Sequence, residues 1–233
     1  YFVRKNDSLL RLTKTSFSGK ILLHTCTNGS SELMSNISAS IVTMLYNFQL
    51  MRVAGEDGIA AYGAIMYVSF IFCAIFIGYS VGIAPVIGYH FGAGNSSELK
   101  NLLKNSLILI GIGGFLMTAL SFALSAPISK IFVGYDQALY QLTVRGFQIY
   151  AFSFLLCGIN IFGSAFFTAL NNGLLSAVIS FLRTLLFQLV CVLILPVFLG
   201  VDGIWLAITA AELAALVVTV SLLVANRKKY RYG

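Results

Sequence analysis

The 233-residue chain is 58% hydrophobic and only 10% charged, where a water-soluble domain carries about a quarter charged residues. That balance excludes an ordinary soluble fold. A formal charge of +7 does not point to nucleic acid either, because Lys and Arg sit at the two ends and in short connections rather than on one solvated face.

Residues 1–20 are polar and basic, without the apolar core of a cleavable signal. They are expected to form a cytoplasmic segment, and a chain beginning at Tyr1 is expected to be a piece of something longer. Apolar stretches follow at 21–51, 59–89, 102–125, 146–170, 174–200 and 203–225. Each reaches or exceeds the roughly 20 residues that cross a hydrocarbon core as a helix. The period-2 alternation of a membrane barrel is absent. The expected fold class is therefore all-α, a polytopic membrane protein whose residues 21–225 form a bundle of six transmembrane helices, with 226–233 as a basic cytoplasmic tail. Turn chemistry at 55–58, 92–95, 134–136, 171–173 and 200–203 separates the spans. Asn95 or Ser96 is the expected cap of the helix that carries span three.

Alternate connections divide the basic residues unequally. The N-terminal segment, the second and fourth loops and the tail hold Arg4, Lys5, Arg11, Lys14, Lys20, Lys100, Lys104, Arg227, Lys228, Lys229 and Arg231. The opposite set holds Arg52, Lys130 and Arg145, beside acidic Glu56, Asp57, Asp136 and Asp202. By the bias of Lys and Arg toward the cytoplasm, both termini are expected there. An even number of spans requires the same.

Span one is unusually polar. Thr25, Asn28, Glu32, Ser35, Asn36, Thr43 and Asn47 fall on one helical stripe, opposite an apolar stripe of Leu33, Ile37, Ile41, Met44 and Phe48. An ionisable group at membrane depth is costly unless paired or hydrated. Burial raises a carboxyl pKa and a nearby cation lowers it, so Glu32 can exchange a proton for another cation. Glu32 is thus the candidate coupling group, and Asn28, Ser35 and Asn36 beside it, with Tyr62, Tyr67 and Asn160 farther along, are the candidate residues of the substrate or ion pathway. The plainer alternative is a fixed hydrogen-bonded residue in a helix interface.

Further along, Tyr62, Tyr67, Tyr79 and Tyr150 offer faces for flat cations or serve as packing residues. Pro85, between Gly82 and Gly88, is the expected hinge. Arg183 and Glu212, opposite charges in the last two spans, are expected to form a buried ion pair of structural character. Cys26, Cys73, Cys157 and Cys191 are widely spaced and are expected to be buried, reduced thiols. No spacing suggests a metal site. His24 and His90 fall near span ends. An HExxH pattern is absent, and Tyr135-Asp136 lacks the second aspartate an intramembrane protease needs. The chain is not expected to be an enzyme.

The polar first span with Glu32, the run Gly-Ile-Ala-Pro-Val-Ile-Gly-Tyr-His-Phe-Gly-Ala-Gly at 82–94, the Asn-Asn-Gly at 171–173 and the following Arg183 together resemble the second half of the multidrug and toxic compound extrusion family. The resemblance covers nearly the whole chain. It implies the C-terminal six-helix lobe of a twelve-helix transporter in the cell (inner) membrane, exporting organic cations or drugs in exchange for protons or sodium. Glu32 then matches the acidic residue implicated in coupling. Partners implied are small organic cations, the N-terminal six-helix half and the lipid bilayer, with no cofactor beyond the coupling ion. Some relatives carry a second acidic residue in the fourth helix. Here 146–170 has none, and Asn160 is the strongly polar residue in its place. A flippase or exporter of lipid-linked oligosaccharide from the same superfamily, and a non-transporting membrane scaffold, are the alternative readings.

Overall fold

A computed structural model describes residues 17–232, with the side chains of Asn28, Ser31, Glu32 and Met34 outside that description. Most of the basic N-terminal segment, and the side chains on which the coupling expectation rests, therefore fall outside the described residues. Every described element is helical: α1 (Gly19–Gly92), α2 (Ser96–Val133), α3 (Gln137–Ala151), α4 (Phe154–Ala169), α5 (Gly173–Phe181), a π turn (Leu182–Leu186), α6 (Phe187–Leu199) and α7 (Val201–Tyr230).

α1 is too long to be one span. Its apolar part, Ser35–Gly92, has 58 residues, about 87 Å at 1.5 Å per residue, against a hydrocarbon core of about 30 Å. The chain folds back at Gly55, where φ 65° and ψ −152° leave the helical region. The rings of Tyr46 and Tyr62 stack with centroids 5.3 Å apart. Sixteen residues along an unbroken helix would separate them by about 24 Å, so residues 19–54 and 56–92 are two antiparallel rods. With them, α2, the α3–α4 pair, α5–α6 and α7 complete six spans. φ and ψ stay helical through Gly82, Pro85 and Gly88, so the sharp break lies at Gly55. Gly88 instead gives close approach, its missing Cβ falling 3.5 Å from the Ala169 carbonyl.

Asn95 caps α2 by accepting from the Glu98 amide at 3.1 Å. α2 runs eight residues past the expected end of span three, because Ser121, Ser125, Ser129 and Val133 continue a buried stripe at four-residue spacing. Pro127 lies inside that helix. Asp136 accepts from the Ala138 and Leu139 amides at 2.7 and 3.0 Å, which makes it the N-cap of α3. The fourth span thus begins at Gln137 rather than near 146, and it bends by 48° between α3 and α4. α7 extends through Tyr230, carrying Arg227, Lys228 and Lys229 in its last turn, where cations favour the helix dipole. Most of the expected tail is helix.

The apolar stripe Leu33, Ile37, Ile41, Met44 and Phe48 is exposed, as are Phe70, Ile71, Phe115, Leu116, Val197 and Phe198. Such a surface belongs in lipid or against another apolar body. Cys26 is exposed rather than buried, Cys73 and Cys191 are half-buried, and only Cys157 is fully enclosed.

The Gly55 conformation lies in a region essentially reserved for glycine. Gly55→Ala is expected to destabilise the protein by about 1–3 kcal/mol, read as a lower thermal unfolding midpoint of the purified protein. Gly78→Ala, at a helical site where an added Cβ meets nothing within 4 Å, should leave the midpoint unlowered. Equal behaviour of the two variants would refute a conformational role for Gly55.

Candidate functional site

The site is built around Glu212, the one acidic residue buried among the spans in the described residues. Glu212 of α7 is 1% exposed. Arg183 Nε donates to both carboxylate oxygens, at 2.9 and 3.0 Å, and its Nη2 lies 2.8 Å from Oε1. Asn160 Nδ2 of α4 donates to Glu212 Oε2 at 2.7 Å and to the Glu212 carbonyl at 2.9 Å. A carboxylate so surrounded has its charge met and most of its lone pairs filled, which offsets the cost of holding it away from water.

Arg183 reaches this position from the π turn. Such wide turns insert a residue into an α-helix and change its register, and they recur at functional sites. Here Arg183 and Thr184, adjacent in sequence, both border the same cavity. That cavity has a volume of about 220 Å³ and lies between both halves of α1, the α3–α4 junction, the π turn and α7. Tyr46, Tyr62, Cys73, Tyr150 and Cys157 line it together with the Arg183–Glu212 pair.

Aromatic packing fixes its walls. Tyr62 stacks on Tyr46 and lies 6.4 Å from the Trp205 ring. The Tyr150 and Ser69 hydroxyls share a hydrogen bond of 2.9 Å. Thr184 of the cavity wall donates to the Ser180 carbonyl at 2.7 Å. Ser164 bonds to Ser176 and Ser180 at 2.8 and 2.9 Å, and Thr168 to Ser176 at 2.7 Å, a hydroxyl ladder joining α4 to α5. Three buried polar atoms near the site have no hydrogen-bond partner among the described residues: Tyr46 Oη, Asn160 Oδ1 and Trp205 Nε1.

The structure brings together Tyr62, Asn160, Arg183 and Glu212, which the sequence reading had placed in two separate groups. It does not bring in Tyr67, which is exposed and stacks on Phe132 at 6.0 Å, on a shallower groove shared with Thr43, Asn47 and Tyr62. Ser35 is half-buried and Asn36 exposed on the first half of α1, and neither borders the cavity. The backbone of Glu32 lies seven residues before Ala39, the first cavity residue, about 10 Å along the helix. The side chains of Glu32 and Asn28 are outside the description. Sequence reasoning missed Tyr46, Ser69 and the thiols of Cys73 and Cys157 as cavity residues. It also missed the ladder, whose signal was the four-residue spacing of Ser164–Thr168 and Ser176–Ser180.

A family model described as MatE matches residues 33–194. The fold is similar to that of a multidrug resistance MATE family transporter of the MOP superfamily in its outward-facing conformation, with TM-score 0.88, 18% identity, and coverage of 97% of this chain and 51% of the other. An inward-facing structure described in the same words gives 0.79 and 19%, covering 99% and 53%. The Vibrio cholerae MATE transporter VcmN in its bent form gives 0.80 and 17%, covering 92% and 48%. The chain spans about half the length of these structures. No curated protein sequence matches it.

Removing one member of a buried ion pair strands the other without compensation. Arg183→Ala is expected to lose about 3–5 kcal/mol of stability, measured by thermal denaturation of the purified full-length protein. The double variant R183Q/E212Q keeps neutral hydrogen-bonding groups in place and should lose much less. An Arg183→Ala variant no less stable than the double would show that the pair does not hold the bundle.

Proposed function

The chain belongs to the MatE family, and from that premise we propose that it forms one six-helix lobe of a secondary active antiporter that exports organic cations or drugs in exchange for protons or sodium. Its partner would be the N-terminal six-helix half of the same transporter, since the chain covers about half of each matched structure. The protein is then a transporter and not an enzyme. It resides in the cell membrane with both termini cytoplasmic, the side to which the basic connections point.

In this reading Glu32 is the coupling carboxylate. The observation that carries the assignment is the commitment of Glu212 to Arg183 and Asn160, which leaves coupling to the other acidic residue of the spans. Glu32 stands on the polar stripe of the first half of α1, the rod that supplies Val42 and Tyr46 to the cavity wall. Protonation or cation binding there alters how the two halves of α1 pack, and access passes from one side of the membrane to the other. Pro85 removes one helical hydrogen bond, so the bend is absorbed around Gly82, Pro85 and Gly88. Asn28, Ser35, Asn36 and Tyr67 line the route between lobes. That the matched transporters are described in outward-facing and inward-facing conformations supports alternating access.

Ethidium efflux by cells expressing the full-length protein tests the assignment. Glu32→Gln, at matched expression, is expected to abolish efflux. Efflux equal to that of the native protein would remove Glu32 from the coupling role.

A further inference from the structure

The cavity inside this lobe carries a charge pattern opposite to what an organic cation requires. Of its one ion pair, the Arg183 side chain is 17% accessible and the Glu212 side chain 2%. Glu212 sits behind, held by Asn160, so the pair presents its positive end to the cavity. A guanidinium has five N–H donors. Glu212 engages Nε and Nη2, so the two donors on Nη1 are not taken by that carboxylate. Among the described residues, no other acidic side chain borders the cavity.

A second observation points the same way. Tyr46 is 2% exposed and borders the cavity, yet its hydroxyl has no hydrogen-bond partner among the described residues. A buried hydroxyl left unpaired loses the free energy of a hydrogen bond, which a ligand acceptor would restore. The remaining wall mixes aromatic and apolar side chains, Tyr62, Met66 and Phe70 among them, with uncharged polar groups such as Thr43, Thr184 and Gln188.

We propose that this intralobe cavity is a binding site for a small planar carboxylate, with the acid group on Arg183 and the Tyr46 hydroxyl and the ring against Tyr62. Size limits the ligand class. Drug-sized ligands occupy pockets of about 300–1,000 Å³, and a cavity of about 220 Å³ takes a single-ring acid. Charge limits it further, because a low-dielectric wall strengthens both the attraction of a carboxylate to the guanidinium and the repulsion of an ammonium. Arg183 borders this cavity and not the groove that holds Tyr67, although Tyr62 borders both. Efflux of a cation can fail or persist independently of binding here.

The test is isothermal titration of the purified full-length protein with three single-ring probes of similar size: benzoate, benzamide and benzylammonium. Benzoate is expected to bind at least about tenfold more tightly than benzylammonium, the difference set by one charged hydrogen-bonded contact. R183Q/E212Q should abolish that preference. Tyr46→Phe, which removes one oxygen and leaves the stacked ring, should weaken benzoate by about threefold to tenfold, and it serves if the double variant does not fold. Benzylammonium binding as tightly as benzoate, benzoate affinity unmoved by both variants, or no benzoate binding at all would each overturn the proposal.

Discussion

A carboxylate buried among helices has to be neutralised where it sits, and the meeting of Glu212 with Arg183 and Asn160 is the requirement around which this bundle is arranged. Three separate elements must converge to satisfy it: α4, the π turn and α7. The wide turn at Leu182–Leu186 disrupts regular helix pairing in order to place a guanidinium against the carboxylate. Once these elements are fixed, the two halves of α1 close over them and the cavity follows as the space left between charge and aromatic stack. The polar centre thus sets helix positions that apolar packing alone would leave adjustable, since apolar side chains in lipid gain little by changing neighbours.

What holds the remaining contacts together is the smallness of residues rather than the bulk of a core. A Cβ on Gly114 would come within 2.9 Å of the Phe154 carbonyl, one on Gly146 within 2.8 Å of the Trp205 ring, and one on Gly158 within 2.8 Å of Phe76. Gly163 leaves room for Thr219 in the same way. A neighbouring backbone approaches Gly114 and side chains pack onto the other three glycines, so dispersion contacts accumulate where the hydrophobic effect between helices is absent. The buried serines of α2 extend the principle. Their side chains are small, and Ser125 and Thr118 return their hydroxyls to carbonyls of the preceding turn.

The spans were legible in the sequence because length and hydropathy suffice to define them, and the turns at Gly55 and Gly200 were legible because glycine marks them. The bend between α3 and α4 was not. Phe152 and Ser153 carry no turn signal, and the break accompanies tertiary packing such as the edge contact of Phe122 with Phe152. The π turn was equally hidden, since Leu-Arg-Thr-Leu-Leu reads as ordinary helix. Opposite charge suggested that Arg183 and Glu212 belong together, but Asn160 joins them from a different helix, and no spacing along one chain encodes that. The cavity was the least legible feature, because its residues come from elements far apart in sequence and each looks like a packing residue alone.

The connection between α6 and α7 is a single residue, Gly200, with φ 57° and ψ −134°, and Gly203 is pressed against the Leu195 carbonyl. Biosynthesis feels this brevity. An arginine entering a bilayer unaccompanied at mid-helix meets a penalty of about 2.5–3.5 kcal/mol. A connection this short holds the helical segment bearing Arg183 against the one bearing Glu212. Joined through one residue, the two helices keep the cation and its counter-ion side by side as they enter the bilayer.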